Sequence, residues 1–366
     1  MYKKAIFPGQ YIQGPGTLAQ LPEFMSNIGK KGAILASPTS MNKILPKHAP
    51  SSLTTDNVML TFNGESTEKE IQRVVACIKQ NNIDVLVGMG GGKTIDTAKI
   101  AADRANIPNI IIPTIASSDA PCSGVAVIYT EEGIFDSVCF QKKSPSMVLV
   151  DTNVITESPV RFLISGMGDA LATWLEAKSC NRTQSLNDCG GLRTLAGLSI
   201  AKLCYETLFK YGHLAIIANE KHLITPAFEH IVEANILLSG VGFESCGVAS
   251  AHAIHNGLTA LDETHDYYHG EKVAFGVLAG LHLTDAEPSL IDEIYTFCEL
   301  IGLPTTFKDI GIKNTSADYL MKAAVKTCEP QESVHREAGE MTPEKILNAM
   351  LQANALGEHR KKQKKG

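Results

Sequence analysis

The sequence predicts a two-part protein, with an α/β domain over residues 1–158 and an all-α domain over residues 159–366. Short apolar runs alternate with amphipathic helical patterns in the first part, which is typical of a Rossmann-like parallel sheet with helices on its faces. Beyond residue 159 such runs give way to long segments of helical periodicity. The length of 366 residues suits two domains. A cleft between two such halves is a common place for a small-molecule site.

The elements of the first domain follow from these patterns in order. Apolar runs predict five strands, at 32–37, 58–62, 84–90, 109–114 and 147–151. Amphipathic patterns predict helices between them at 66–82 and 94–106. The segment 125–140 predicts a β-hairpin, inserted before the last strand, with its turn at Glu132 and Gly133. In the second domain the periodicity predicts helices at 159–180, 188–211, 225–245, 269–285, 288–301 and 342–356.

Composition narrows the classes of function. The net charge of -6 predicts no general attraction to nucleic acid. No run of 18 apolar residues predicts a membrane span, and no apolar segment near the N-terminus predicts a signal peptide. The nine cysteines are scattered without a C-x-x-C pair, which indicates a reduced, cytoplasmic protein.

A glycine-rich turn links a predicted strand to a predicted helix in DVLVGMGGGKTIDTAKIAA (84–102). Gly88, Gly90, Gly91 and Gly92 let the backbone approach a ligand, and the N–H groups that begin the helix suit a phosphate. Neither the G-x-G-x-x-G nor the G-x-x-x-x-G-K-[ST] pattern is matched. A tight turn without a ligand is the alternative.

The loop after the strand 109–114 carries one acid among small hydroxyl residues. It lies at the carboxyl end of a strand, where open α/β sheets bind their ligands. Asp119 is therefore a candidate acceptor for a hydrogen bond from a substrate hydroxyl. A cap of an Asx turn before Pro121 is the other interpretation, and the local sequence leaves both open.

Histidines are concentrated in ASAHAIHNGLTALDETHDYYHGEK (249–272). His252 and His255 share a face of a predicted helix, and His269 begins the next helix. The pair His252 and His269 is a candidate for metal binding, although surface or hydrogen-bonded core histidines are the alternative. A catalytic metal needs a third ligand. The candidates are a distant residue or one of the nearby acids Asp262, Glu263, Asp266 and Glu271.

A distant acid lies in SGMGDALATWLEAKS (165–179). The two glycines before Asp169 predict a helix start there. A buried carboxylate at that position would be compensated by the helix end or by a cation. A simple helix N-cap is the alternative role.

Five motifs, taken together and in order, resemble the glycerol dehydrogenases of the iron-containing (type III) alcohol dehydrogenase family. They are GMGGGKTIDTAK, PTIASSDAPCS, GMGDALATWLEA, SGVGFESCGVASAHAIHNGLTA and HGEKVAFG. The resemblance runs from residues 11–16 to about residue 335. It implies a dehydroquinate synthase-like architecture and the NAD-dependent oxidation of glycerol and related 1,2-diols. Glycerol would give dihydroxyacetone, by hydride transfer from an alkoxide on a metal.

The resemblance also implies roles for particular residues. Asp169, His252 and His269 would bind one divalent metal, zinc in the glycerol enzymes with iron or manganese as alternatives, and through it the substrate. Asp119 would contact the substrate hydroxyls, and His255 is a candidate proton relay with a structural role as the alternative. The NAD pocket would contain Gly91, Gly92, Lys93, Thr94, Asp96, Thr114, Ser117, Ser123, Val125 and Tyr129.

One departure concerns the cofactor, because Ser37 stands where many relatives carry an aspartate that excludes a 2'-phosphate. Rival functions are other polyol or hydroxycarboxylate dehydrogenases, a glycerol-1-phosphate dehydrogenase, a dehydroquinate synthase-like lyase and a nucleotide-binding sensor. Anionic substrates would need cations, and the segments that flank the candidate metal residues carry few, with Lys178 and Lys272 the nearest. The family is often octameric, so we expect a homo-oligomer without nucleic-acid or membrane partners.

Overall fold

The computed structural model describes residues 1–364, which divide into two compact units. The sheet unit contains Ile6–Phe162 and Ile217–Gly240. The helical unit contains Met1–Ala5, Leu163–Ile216 and the described residues from Val241 onward. An α/β part and a helical part were predicted, and this fold class is confirmed. The predicted boundary at residue 158 is corrected in two segments, 1–5 and 217–240, which belong to the opposite units.

The sheet has six parallel strands, which are β1 Tyr11–Gly14, β2 Gly32–Ala36, β3 Val58–Thr61, β4 Val85–Gly90, β5 Asn109–Pro113 and β8 Met147–Asp151. Across the sheet they lie in the order β1-β8-β5-β4-β2-β3. All five predicted strands are present, with ends that differ by a residue or less. The strand β1 was not predicted, because it is only four residues long and lacks an apolar run. It pairs in parallel with β8 at the sheet edge.

The predicted hairpin forms a separate two-stranded sheet of β6 (Val125–Tyr129) and β7 (Phe135–Phe140). The strands pair antiparallel, with a register irregularity near Ile128. The first strand lies beside the helix that follows the glycine turn, so the hairpin borders the glycine-rich loop within this unit.

The apolar runs of the central strands are buried on both faces of the sheet, as parallel strands with helices on either side require. The helices that cover them begin and end at residues that suit those positions. The Thr67 side chain accepts a hydrogen bond from the N–H of Glu70 at the start of the helix 68–80. The helix 92–105 ends at Asn106, which has a left-handed backbone with φ of 54°.

Fifteen α-helices lie within the described residues 1–364. In chain order they are α1 Leu21–Ile28, α2 Leu45–His48, α3 Ser52–Thr55, α4 Glu68–Gln80, α5 Gly92–Ala105, α6 Thr152–Thr156, α7 Val160–Thr183, α8 Leu195–Glu220, α9 Pro226–Glu233, α10 Ser239–Cys246, α11 Ser250–Leu258, α12 His269–Leu283, α13 Pro288–Ile301, α14 Ala317–Thr327 and α15 Pro343–Gln363.

The predicted helices of the second half are present, with three differences. The helix predicted over 188–211 is α8, displaced toward the C-terminus, because the preceding segment forms a loop held by the Asn187 side chain. The helix predicted over 225–245 contains a π-helical stretch, Ala234–Leu238. The helix α14 was not predicted.

Asp169 does not begin a helix, which corrects the predicted helix start. It lies in the interior of α7 and is fully buried. Gly166 and Gly168 therefore belong to the helix, and neither a cap role nor compensation by a helix end applies to this carboxylate.

No single helix within residues 1–364 has both the length and the apolar character that a membrane crossing requires. Among the described helices, one bent pair, Pro226–Cys246 with Ser250–Leu258, meets the length and apolarity criteria when its two members are taken together.

Candidate active site

Three side chains of the helical unit converge on one point. Asp169 comes from the middle of α7, His252 from the first turn of α11, and His269 from the first residue of α12. The Oδ1 atom of Asp169 lies 3.1 Å from Nε2 of His269 and 3.4 Å from Nε2 of His252. One donor atom of each residue lies within 4.8 Å of the others. These are the three side chains that the resemblance assigned to a metal.

A close approach of α12 to α7 delivers His269 to this point. A Cβ atom at Gly270 would lie 1.8 Å from the carbonyl oxygen of Ser165 and 2.9 Å from the nitrogen of Asp169. Only glycine therefore allows the first turn of α12 to lie against α7. This contact explains the glycine in the HGEK sequence, which directly follows the histidine.

His252 is held by a buried carboxylate that the sequence analysis did not identify. Its Nδ1 atom lies 2.6 Å from Oε2 of Glu176. A carboxylate of this kind accepts hydrogen bonds, so Nδ1 carries a proton, and in the neutral ring Nε2 keeps its lone pair. That lone pair is the one nearest Asp169.

A longer chain of hydrogen bonds holds His269. Its Nδ1 atom lies 3.0 Å from Nε2 of His255, whose Nδ1 lies 3.0 Å from Oδ1 of Asn256. The Asn256 amide nitrogen donates to Oε2 of Glu332 at 2.9 Å, so its oxygen faces His255. His255 therefore donates through Nδ1 and accepts at Nε2, and His269 donates through Nδ1 and keeps the lone pair of Nε2.

The arrangement brings three acceptor atoms together, the Asp169 oxygen and the Nε2 atoms of His252 and His269. Three facing lone pairs repel one another unless a cation or protons lie among them. Two imidazole nitrogens and one carboxylate oxygen are the donors that zinc, iron and manganese accept. Ligands about 2.1 Å from a tetrahedral ion lie about 3.4 Å apart, which matches the 3.1 Å and 3.4 Å separations. These residues therefore fit a divalent metal.

The electrostatics of the cluster favour bound positive charge. Burial by itself would raise the pKa of Asp169, but the charge and hydrogen bonds of His269 and His252 hold that pKa well below its ordinary value. Burial opposes the charged form of His252, yet Glu176 and Asp169 raise its pKa well above the ordinary value. Burial, aided by the charge of His269, lowers the pKa of His255 well below its ordinary value. His255 is therefore neutral, as its place in the hydrogen-bond chain requires.

The glycine turn of the sheet unit leaves a helix end open. A Cβ at Gly90 would lie 2.8 Å from Oγ1 of Thr94, and one at Gly88 would lie 2.3 Å from Cβ of Ala98, so both glycines allow α5 to pack on β4. Gly91 precedes the first residue of α5, and no side chain caps that end. A Cβ at Gly92 would have no side chain or other segment of the protein within 4 Å. Open N–H groups at a helix start suit a phosphate.

Lys93 stands at this helix end with its side chain half-exposed. Its ammonium group forms an ion pair with Glu65 and lies 4.8 Å from the centre of the Tyr129 ring. Burial, aided by the charges of Asp96 and Glu65, raises the pKa of Tyr129 to about 12, so the phenol stays neutral. Lys93 and Tyr129, both predicted for the cofactor pocket, are therefore neighbours.

The other residues predicted for the NAD pocket differ in burial, and some of them hold the hairpin in place. Asp96 accepts a hydrogen bond from the N–H of Val127 and lies 3.3 Å from the buried Lys99 ammonium. These contacts hold the hairpin against α5. Thr114 and Ser123 are buried and Ser117 and Val125 half-buried. The Lys99 ammonium also donates to the backbone carbonyls of Ala120, Ser123 and Val125.

Asp119 is almost fully buried in the sheet unit. Its Oδ2 atom accepts a hydrogen bond from the Ser239 hydroxyl at 2.8 Å. Its side chain does not cap the short helix Ala120–Cys122. The cap interpretation is therefore wrong.

Comparison with known proteins extends these observations. The family described as iron-containing alcohol dehydrogenase matches residues 8–152. Glycerol dehydrogenase from Thermotoga maritima is 47% identical over 362 residues, which cover 99% of each chain. Glycerol dehydrogenase from Citrobacter freundii is 42% identical over 98% of this chain and 99% of its own. The crystal structure of glycerol dehydrogenase from Schizosaccharomyces pombe superposes with a TM-score of 0.94 at 37% identity, covering 99% of this chain and 93% of its own.

The glycine turn and the Asp-His-His cluster thus occur in a chain of the dehydrogenase class of oxidoreductases. The chain belongs to the iron-containing alcohol dehydrogenase family. The resemblance seen in the five motifs is confirmed.

Proposed function

We propose that this enzyme oxidises glycerol and related 1,2-diols to the corresponding ketones, dihydroxyacetone in the case of glycerol, with NAD and one divalent metal. The observation that carries the proposal is the convergence of Asp169, His252 and His269 with three acceptor atoms facing one another. The names of the relatives at 47% and 42% identity support glycerol as the substrate.

Asp169, His252 and His269 would hold the metal, with zinc as the first choice and iron or manganese as alternatives. A divalent ion bound there would supply a Lewis acid that lowers the pKa of a coordinated alcohol. With their Nδ1 protons directed at Glu176 and His255, both imidazoles would offer the Nε2 lone pair to the metal and bind it as neutral ligands. The set then carries one negative charge, which leaves a net positive site for the substrate oxygen. We propose a positioning role for His255 in preference to a proton relay, because its Nδ1 proton faces the Asn256 amide oxygen, which is not a base.

NAD would supply the hydride acceptor when bound. We assign its pyrophosphate to the open N–H groups at Gly91, Gly92 and Lys93, with Thr94 in the first turn of the helix. The Lys93 ammonium adds a charge at that end. Tyr129 and the hairpin, which Asp96 and Lys99 hold against α5, would border the same pocket.

From the resemblance we assign Asp119 to the substrate hydroxyls, because an ionised carboxylate accepts several hydrogen bonds at once. From the resemblance alone we also propose a cytoplasmic homo-oligomer. Light scattering of the purified enzyme measures its mass in solution and tests the oligomer.

The test is NAD reduction with glycerol, 1,2-propanediol and 2-hydroxybutyrate, measured before chelation, after chelation and after metal add-back. We expect turnover of both polyols, loss on chelation, and recovery with one of the three metals. Turnover of the hydroxy acid alone would refute the polyol assignment. His269→Ala should abolish turnover while NADH fluorescence still reports binding, and Asp119→Ala should raise the KM for glycerol.

A further inference from the structure

Glu176 lies two turns of α7 after Asp169, on the same face of the helix. Both carboxylates are almost completely buried. On the basis of the metal site proposed above, we propose that Glu176 is a positioning residue, which sets the orientation of His252 and the ring nitrogen that carries its proton. Glu176 would thereby determine whether the site accepts a metal.

Three hydrogen bonds converge on this carboxylate. Its Oε1 atom accepts the backbone N–H of Ala249 at 2.8 Å and that of His252 at 3.0 Å. Its Oε2 atom accepts the ring Nδ1–H of His252 at 2.6 Å. Each oxygen therefore has a defined partner.

The two backbone contacts lie at the start of α11. Ala249 occupies the N-cap position, where its methyl side chain offers no acceptor. His252 is the third residue of the helix, and its N–H is the one that a serine or aspartate N-cap would accept. Glu176 supplies this missing acceptor from a different helix. The backbone of His252 and its ring are thus anchored to one carboxylate.

The ring contact decides the chemistry of Nε2. Because both Glu176 oxygens accept, the proton of neutral His252 lies on Nδ1 and the Nε2 lone pair faces Asp169 at 3.4 Å. The opposite tautomer would direct an N–H at the point where Asp169 and His269 converge. Such a ring cannot bind a metal through that nitrogen.

Glutamine cannot replace this carboxylate. If its oxygen faced the N–H groups of Ala249 and His252, its amide group would face the ring and favour the tautomer with the proton on Nε2. If its oxygen faced the ring, its amide group would meet two backbone donors. Glu176→Gln therefore preserves shape but cannot satisfy all three hydrogen bonds.

A second buried carboxylate provides a matched control. Glu337 accepts the backbone N–H of Ser250 at 3.3 Å and the Ser250 hydroxyl at 2.7 Å, both through Oε1. It holds the same end of α11 without touching an imidazole of the site. The amide oxygen of Glu337→Gln can accept both bonds.

The experiment measures zinc affinity by competition with a fluorescent chelator, and records the visible spectrum of the cobalt(II)-substituted protein. We expect Glu176→Gln to weaken zinc binding about 10- to 100-fold and to alter the cobalt spectrum. Glu337→Gln should keep the zinc affinity and cobalt spectrum of the unsubstituted protein. Thermal unfolding of the zinc-free proteins separates loss of the metal site from loss of the fold.

The outcomes separate the two proposals. If the unsubstituted protein takes up no divalent metal, the metal site is refuted and the role of Glu176 with it. If it binds zinc, and Glu176→Gln binds zinc equally well with the same cobalt spectrum, only the role of Glu176 is refuted.

A measurement on the unaltered protein applies even if Glu176→Gln does not fold. In zinc-loaded protein with ¹⁵N-labelled histidine, NMR should show a slowly exchanging Nδ1–H signal that is lost in His252→Gln. A rapidly exchanging Nδ1–H of His252 would show that Glu176 does not hold this proton and would overturn the proposal.

Discussion

Gly168 of α7 and Gly270 of α12 lie in direct contact, since a Cβ at Gly168 would be 2.3 Å from the carbonyl oxygen of Gly270. The contact involves backbone atoms that cannot move aside separately. It allows the side chain of Asp169, the next residue, to reach the imidazole of His269 at 3.1 Å. The convergence of Asp169 and His269 at the proposed metal site therefore depends on a glycine contact between two helices.

We predict that Gly168→Ala weakens both the fold and the metal site. Overpacking of this kind costs about 1–3 kcal/mol in the free energy of unfolding, and separation of the helices would lower zinc affinity. Urea denaturation of the zinc-free protein and chelator competition measure the two effects.

Gly212→Ala in α8 is the control, because its Cβ would meet the flexible Met167 sulfur at 3.1 Å instead of a backbone atom. Helix propensity favours alanine there by about 1 kcal/mol. Equal stabilities of the two variants would contradict the role of the Gly168 contact.

The same glycine contact shows where sequence reasoning succeeds and where it fails. Apolar runs predict the central strands, because strands buried on both faces are apolar throughout. The motifs also predict one set of Asp169, His252 and His269, and the structure brings these three side chains together. The glycines of SGMG predict a helix start, whereas in the structure they lie inside α7 and Gly168 allows another helix to approach. Asp169 lies inside α7, so Glu176, two turns later, lies on the same face of the helix. A predicted helix start at Asp169 hides this relationship, and the sequence analysis therefore does not identify Glu176.

Other features depend on contacts distant in the sequence. The segment 217–240 is held in the sheet unit by side-chain hydrogen bonds, such as those from Asn219 to Thr156 and from Asn235 to Ala116. Helical periodicity does not indicate which distant residues form these hydrogen bonds. The predicted domain boundary rests on the change from apolar strand runs to helical periodicity, and it therefore assigns this segment to the wrong unit.

Substitution by methionine should destabilise the protein to very different extents at two lysines of α5. Lys99 is fully buried beside Asp96 and donates to backbone carbonyls, so its loss should cost about 3–5 kcal/mol of unfolding free energy. Lys93 is half-exposed, so loss of its pair with Glu65 should cost less than about 1 kcal/mol.

Among variants that fold, NADH affinity should fall more in Lys93→Met than in Lys99→Met. Lys93→Met removes a charge from the proposed pyrophosphate site and should weaken NADH binding about tenfold. Urea denaturation and NADH fluorescence titration measure the two properties. A Lys93→Met protein that binds NADH normally would refute the assignment of this lysine to the cofactor.

Cofactor choice should depend on Ser37, which follows β2. Its hydroxyl accepts a hydrogen bond from the N–H of Ser40 at 3.2 Å, as an N-cap does. Aspartate can make the same bond, so Ser37→Asp should fold normally while its charge repels a 2'-phosphate. We expect the ratio of kcat/KM for NAD to that for NADP to rise at least about tenfold, or ~1.4 kcal/mol.

Ser37→Asn is the matched control, because it keeps the cap and adds no charge. Its cofactor ratio should stay close to that of the unsubstituted enzyme. A similar ratio in both variants would show that residue 37 does not face the 2' position.

Asn256 should influence zinc binding without touching the site. It holds His255 with the proton on Nδ1, and His255 in turn accepts from Nδ1 of His269. Asn256→Leu removes the acceptor, so both tautomers of His255 become available and His269 loses its defined orientation. Because the effect passes through one more ring than that of Glu176, we expect a loss of zinc affinity near the lower end of about 10- to 100-fold.

Glu332→Gln is the control for this chain. Glutamine keeps an oxygen that can accept from the Asn256 amide, which donates to Glu332 at 2.9 Å, so the direction of every hydrogen bond is preserved. Chelator competition should therefore find the unsubstituted zinc affinity in Glu332→Gln and a weaker one in Asn256→Leu. If the two variants lose zinc equally, the cause is packing around Glu332 and not the direction of the hydrogen bonds. If Asn256→Leu keeps full affinity, His269 is oriented by Asp169 and the metal alone.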